Sequence, residues 1–189
     1  MFNVAPQQVG ISSMNNVVVI IAAHADDEAL GCGGTIARHV SDGDSVHAIF
    51  LADGVTSREN VNQEQVEQRE LAAEKAHKIL GFNSVEYLGF PDNQLDSLPL
   101  LEIVKKLEMI LEALSPNIIY THYHGDLNID HQICYQAVMT ACRPLPGNKI
   151  KEIYSFEVMS STDWSHTDVK VFTPHVYINI SEFLEIKLR

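Results

Sequence analysis

The chain alternates short apolar runs with amphipathic stretches. Residues 17–23 form a continuous, largely β-branched apolar run, the pattern of a strand buried on both faces. Further strands are predicted at 45–51, 84–88, 117–121, 153–158 and 176–180. Helices are predicted between them, at 33–40, 64–80 and 130–142. In another, Leu100, Ile103, Val104, Leu107, Ile110, Leu111 and Leu114 recur at helical spacing and define one apolar face. Gly81 is the expected stop of the 64–80 helix, Pro99 suits the first turn of the next, and Ser115-Pro116 ends it. Residues 41–44 read as a turn, and 181–189 as the start of a helix. Strands separated by helices require parallel pairing with right-handed crossovers. The expected fold is therefore α/β: a Rossmann-like three-layer domain with a mostly parallel sheet. No repeat or linker breaks the pattern, so 1–189 is expected to be one domain, its stop at 189 either a native boundary or a truncation.

Polar residues gather where two of these strands end. In open parallel sheets, ligands bind beyond the carboxyl ends of the strands. His24-Ala25-Asp26-Asp27-Glu28 follows the first strand, and the segment from His122 to His131 follows the fourth. Both belong at one edge of the sheet. Titratable groups this crowded are costly at a strand end unless an ion binds them. A catalytic zinc uses three imidazole or carboxylate ligands and keeps an open position. His24 and Asp27 are placed to face one ion across a strand-to-helix turn, with His131 as a third ligand. Asp26 would then lie beside the metal as a base, with Asp130 and Glu28 orienting ligands or nearby backbone. The plainer alternative is that the acids cap the following helix. Gly31-Cys32-Gly33-Gly34 raises a phosphate-binding rival, but its spacing is not Gly-x-Gly-x-x-Gly and three acids precede it. These glycines read as close backbone packing.

Composition narrows the partners. The net charge of −12 disfavours nucleic acid and anionic membrane surfaces. The longest apolar run is too short to span a bilayer, and no signal peptide is evident. Cys32, Cys134 and Cys142 form no Cys-x-x-Cys pair and are expected as core residues in a cytoplasmic protein.

His24-Ala25-Asp26-Asp27-Glu28, then Gly31-Cys32-Gly33-Gly34-Thr35, then Asp126-Leu127-Asn128-Ile129-Asp130-His131, resemble the LmbE/PIG-L family of zinc-dependent N-acetyl-sugar deacetylases. Ala52-Asp53-Gly54, Arg69-Glu70 and Leu88-Gly89-Phe90-Pro91-Asp92 fit as well. The resemblance covers about residues 17–180. It implies Zn2+, or another divalent metal, held by His24, Asp27 and His131. It implies Asp26 as general base, and Arg69 and Asp92 near the sugar. The implied substrate is a small N-acetylated sugar or a glycoconjugate carrying one, and the implied assembly a homo-oligomer, a trimer or hexamer. The chain departs from the family in two places. Ala25 stands where Pro is common, which loosens the turn. Asn128 stands where many members have His; it donates a hydrogen bond but carries no proton. Asn128 or His124 would then stabilise the oxyanion, and His122, His124 or a reprotonated Asp26 would return the proton. Two other functions fit the same cluster: hydrolysis of another small N-acyl amide, and a non-catalytic metal- or nucleotide-binding module. A free base at Asp26 argues against the module. His39, His47 and His77 are expected in structural roles. His166 is a candidate for the pocket mouth, Trp164 and Tyr123 for sugar stacking or packing, and Arg58 for an anionic group or a salt bridge.

Overall fold

The computed structural model describes residues 7–8, 15–54, 63–165 and 171–189. Its strands are β1 (Gln7–Gln8), β2 (Val17–Ala22), β3 (Ser45–Ala52), β4 (Ser84–Phe90), β5 (Ile118–His122), β6 (Glu152–Phe156) and β7 (Val176–Tyr177). Its α-helices are α1 (Asp27–Ser41), α2 (Gln63–Leu80), α3 (Leu100–Leu114), α4 (Ile129–Ala141) and the short α5 (Leu184–Lys187). The main sheet runs β4-β3-β2-β5-β6, and every pair in it is parallel. This is the expected Rossmann-like α/β arrangement of three layers.

The β-branched run of β2 sits at the centre, and its pleat divides the core. Val19 and Ile21 face Ile103, Val104, Leu107 and Leu111 of α3 and Cys134, Ala137 and Val138 of α4. Val18, Ile20 and Ala22 face the other way, with Cys32 and Ile36 of α1, Leu80 of α2 and Phe50 of β3. Cys32, Cys134 and Cys142 are all buried and free, as expected of core residues. Gly81 adopts a positive φ and its N–H donates to His77 O, so it stops α2 as expected. Among the described residues, no helix is long and apolar enough to cross a membrane.

Three elements differ from the sequence pattern. Helix α1 begins at Asp27 rather than 33 and kinks at Cys32. Its glycines hide the helical signal because they serve contact: a Cβ on Gly31 would collide with the Phe156 ring, and one on Gly34 with Ile180. Strand β4 continues to Phe90 through Gly89, at positive φ, with a register shift against β3. The strand expected at 176–180 shrinks to β7, which pairs with β1 outside the main sheet. Its remaining apolar residues cover α1 instead: Ile180 lies over Gly34, and Arg38 Nη1 donates to Asn179 O at 2.9 Å.

Candidate metal centre

The carboxyl ends of β2, β4 and β5 lie along one edge of the parallel sheet. His24 follows β2, Asp92 follows β4, and His122 ends β5. Asp27 opens α1, and His131 lies in the first turn of α4. Two local features aim that first turn. Asn128 Oδ1 accepts the Asp130 N–H at 2.8 Å and so caps α4, while the Asn128 N–H donates to Asp126 Oδ1 at 2.9 Å.

Asp27 is the hub. Its Oδ2 lies 3.3 Å from His24 Nδ1, 3.3 Å from His131 Nε2 and 3.4 Å from His122 Nε2, and it accepts the His24 N–H at 2.9 Å. The ligand atoms of His24, Asp27 and His131 all fall within 4.8 Å of one another, and all three residues are buried. The outer ring nitrogens face other carboxylates. His24 Nε2 lies 3.0 Å from Asp92 Oδ1 and 3.1 Å from Asp130 Oδ2. Asp130 is itself fixed by the N–H groups of Asn93 (2.7 Å) and Leu95 (3.1 Å). His131 Nδ1 lies 3.2 Å from Asp126 Oδ2.

These pairs decide where the protons sit. With an ion bound, a carboxylate on the outer nitrogen would keep the ring's one proton there and leave the inner nitrogen as a lone pair. The inner lone pairs of His24 and His131 then point with Asp27 into one small volume. His122 packs beside them but adds no further donor, since its Nε2 accepts the Ala23 N–H at 2.9 Å. Lone pairs gathered in this way repel one another unless a cation lies between them, so the donor set fits a divalent metal. The side chains alone show the same demand for positive charge. Burial lowers the His24 pKa, but Asp130, Asp27 and Asp92 outweigh it and hold it up at about 10. Against the same burial penalty, Asp126 and Asp27 raise His131 to about 9. Burial opposes ionisation of Asp27, yet His122, His131 and His24 hold its carboxyl well below the usual range.

Asp26 is placed differently. Its carboxyl is half exposed at the rim and makes no helix cap. Arg69 Nη2 reaches Asp26 Oδ2 at 3.2 Å. Lost hydration and the charge of Asp27 push the Asp26 pKa up, while Arg69 pulls it down.

The structure thus brings His24, Asp27 and His131 together, with Asp26 beside them and Asn128 in the turn that leads to His131. Asp92, which the resemblance puts near the sugar, is buried against His24. Arg69 meets Asp26. The His124 ring lies 5.4 Å from that of Tyr135 and 4.4 Å from that of Tyr123. His122 is wholly buried and committed to the Ala23 N–H, an arrangement suited to a fixed neutral ring rather than a proton donor. Glu28 leaves the cluster for His77, at 3.4 Å. Arg58 and His166 lie outside the described residues. Asp126, Ser161 and Thr162 escaped the sequence reading. Asp126 stands in a quoted motif, five residues before His131, but nothing in the sequence points to the two hydroxyls.

Against known proteins, the family PIG-L, described as GlcNAc-PI de-N-acetylase, matches residues 19–142. The chain is 30% identical over 177 residues to YaiS, an uncharacterized deacetylase of Escherichia coli, spanning 90% of this chain and 86% of that protein. It is 24% identical over 178 residues to a probable N-acetyl-alpha-D-glucosaminyl L-malate deacetylase 2 of Bacillus anthracis, spanning 90% and 76%. Among solved structures, the conserved protein TT1542 of Thermus thermophilus aligns with a TM-score of 0.74 at 26% identity, spanning 91% of this chain and 75% of that one.

Proposed function

Because the chain belongs to the PIG-L family, we propose that it is a metal-dependent deacetylase that removes the acetyl group from an N-acetylated amino sugar, or from a glycoconjugate carrying one. The observation that carries this reading is the convergence of His24 Nδ1, Asp27 Oδ2 and His131 Nε2 beside a half-exposed Asp26. The deacetylases named among the relatives point the same way.

His24, Asp27 and His131 would hold the ion, for which Zn2+ suits a mixed imidazole and carboxylate set. When bound, such an ion polarises an amide carbonyl and acidifies a water. The chain's own groups supply the rest. Asp26 takes the proton of the attacking water on a carboxyl oxygen. Its raised pKa makes it a better base than an ordinary carboxylate and lets it hand the proton on to the departing amine. Arg69 orients that carboxyl from the solvent side. Asn128 Oδ1 is occupied by the α4 cap, so the group it offers the developing oxyanion is its amide NH2. Asp130, Asp92 and Asp126 keep the two imidazoles turned inward.

The test is acetate release from a panel of N-acetylated mono- and disaccharides and small N-acyl amides, before and after chelation. The expected result is release from an acetylated sugar that chelator abolishes and Zn2+ restores. Full activity after exhaustive chelation, or turnover of the simple amides alone, would contradict the proposal.

A further inference from the structure

We propose that Thr162 is a positioning residue for the metal centre, its hydroxyl acting through Asp126 to fix which ring nitrogen His131 presents to the ion. The inference rests on the reading that His131 holds that ion.

Asp126 is buried and ringed by donors. The Asn128 N–H reaches its Oδ1 at 2.9 Å. At Oδ2 it meets Thr162 Oγ1 at 2.6 Å, Ser161 Oγ at 3.0 Å and His131 Nδ1 at 3.2 Å. Thr162 Oγ1 also accepts the Val158 N–H at 2.8 Å. That bond aims its single hydroxyl proton away from Val158 and at the carboxylate. A carboxylate so surrounded only accepts. His131 can then join it only as a donor through Nδ1–H, which leaves Nε2 bare and facing Asp27. The direction of the proton on His131 is thus set two bonds away, by a hydroxyl on the turn after β6.

The turn itself is built to hold that hydroxyl. The N–H groups of Ser161 and Thr162 both donate to Val158 O, at 2.9 and 2.8 Å, and close it. The Leu127 N–H donates to Ser161 O at 3.4 Å and ties the turn to the loop that carries Asp126. Gln132 Nε2 donates to Asp126 O at 2.6 Å and fixes the same loop from α4. Thr162 is itself buried. The turn that follows the edge strand β6 therefore governs a residue on α4.

The decisive measurement is the Zn2+ dissociation constant of the whole chain, by competition with a chromophoric chelator, alongside Tm. Thr162→Val should weaken Zn2+ binding about ten- to a hundred-fold, the range for an outer-shell partner. Thr162→Ser, which keeps the hydroxyl, should restore wild-type affinity. A folded Thr162→Val with a lowered Tm but wild-type affinity would overturn the proposal, because a merely structural threonine behaves that way. If Thr162→Val does not fold, Asp126→Asn decides: weakened Zn2+ binding supports the link through Asp126, and unchanged affinity overturns it. His131→Ala separates the two readings. If it abolishes binding while the hydroxyl variants do not, only this proposal fails. If it binds Zn2+ normally, the metal-centre reading fails with it.

Discussion

Asp130 and Asp27 differ in what their oxygens meet, and that difference divides their work. Asp130 is fully buried, with one oxygen on the Leu95 N–H and the other shared by the Asn93 N–H and the His24 ring. Its contacts are to backbone N–H groups and to the outer nitrogen of His24. Asp27 turns Oδ2 into the lone-pair cluster. Replacing Asp27 removes a donor, whereas Asp130→Asn keeps the shape and changes one acceptor into an NH2 that opposes a backbone N–H. Asp27→Ala should abolish stoichiometric Zn2+ binding. Asp130→Asn should weaken it by about ten- to a hundred-fold, read by equilibrium competition. If Asp130→Asn bound as tightly as wild type, the orientation of His24 would not depend on this carboxylate. The candidate metal trio was legible in the sequence at this scale, because strand order alone puts the residues after β2 and β5 at one edge. Asp126 and Thr162 were not. Their contact spans 36 positions and depends on how the turn after β6 folds back.

At the scale of elements, the two ends of the sheet do different things. At the amino end, His39 Nδ1 meets Asp44 Oδ2 at 2.6 Å, His39 Nε2 meets the Tyr120 hydroxyl at 2.9 Å, and Asp44 Oδ1 accepts the Asn16 N–H at 2.7 Å. This network joins α1 to β5 and to the start of β2, and all four residues are buried. Asp44→Ala would strand the His39 ring N–H and the Asn16 N–H, and should cost about 1–3 kcal/mol for each buried donor left unpaired. Zn2+ affinity should not change, since the network lies at the far end of the strands. Denaturant unfolding and metal competition on the same variant check both halves. Helix α1 also shows why part of the fold escaped the sequence. The sequence reads helix only from Gly33, and the turns before it stay hidden until Phe156 is seen packed onto Gly31. Gly34→Ala should cost about 1–3 kcal/mol, typical of overpacking, through its clash with Ile180. An unchanged midpoint would show that the 178–180 segment moves aside freely.

For the whole molecule, the parallel sheet is the means by which distant sequence becomes one site. The strand-helix alternation was legible because β2 and α3 carry uninterrupted patterns: a β-branched run in one, and in the other an apolar face whose Ile103, Val104, Leu107 and Leu111 are all buried. The last strand misled because only 176–177 of 176–180 pair, with β1 in a separate two-stranded sheet, while Asn179 and Ile180 close over α1 instead. With its carboxylates gathered at one end, the folded chain should gain stability from the ion it binds. At a free Zn2+ concentration a hundred times Kd, the gain should be about 2.7 kcal/mol, and it should vanish in Asp27→Ala. A wild-type Tm indifferent to Zn2+ would mean that the convergent donors do not hold it.

The claim that binds these scales together is a division of labour, in which His24, Asp27 and His131 hold an ion while Asp26 moves the proton. The measurement that tests it most directly is metal content and acetate release in one preparation of Asp26→Ala. The account predicts stoichiometric Zn2+ and a rate lowered by about a hundred- to ten-thousand-fold, the range for losing a general base. A variant that retains near-full activity, or that loses its metal along with its activity, would contradict it.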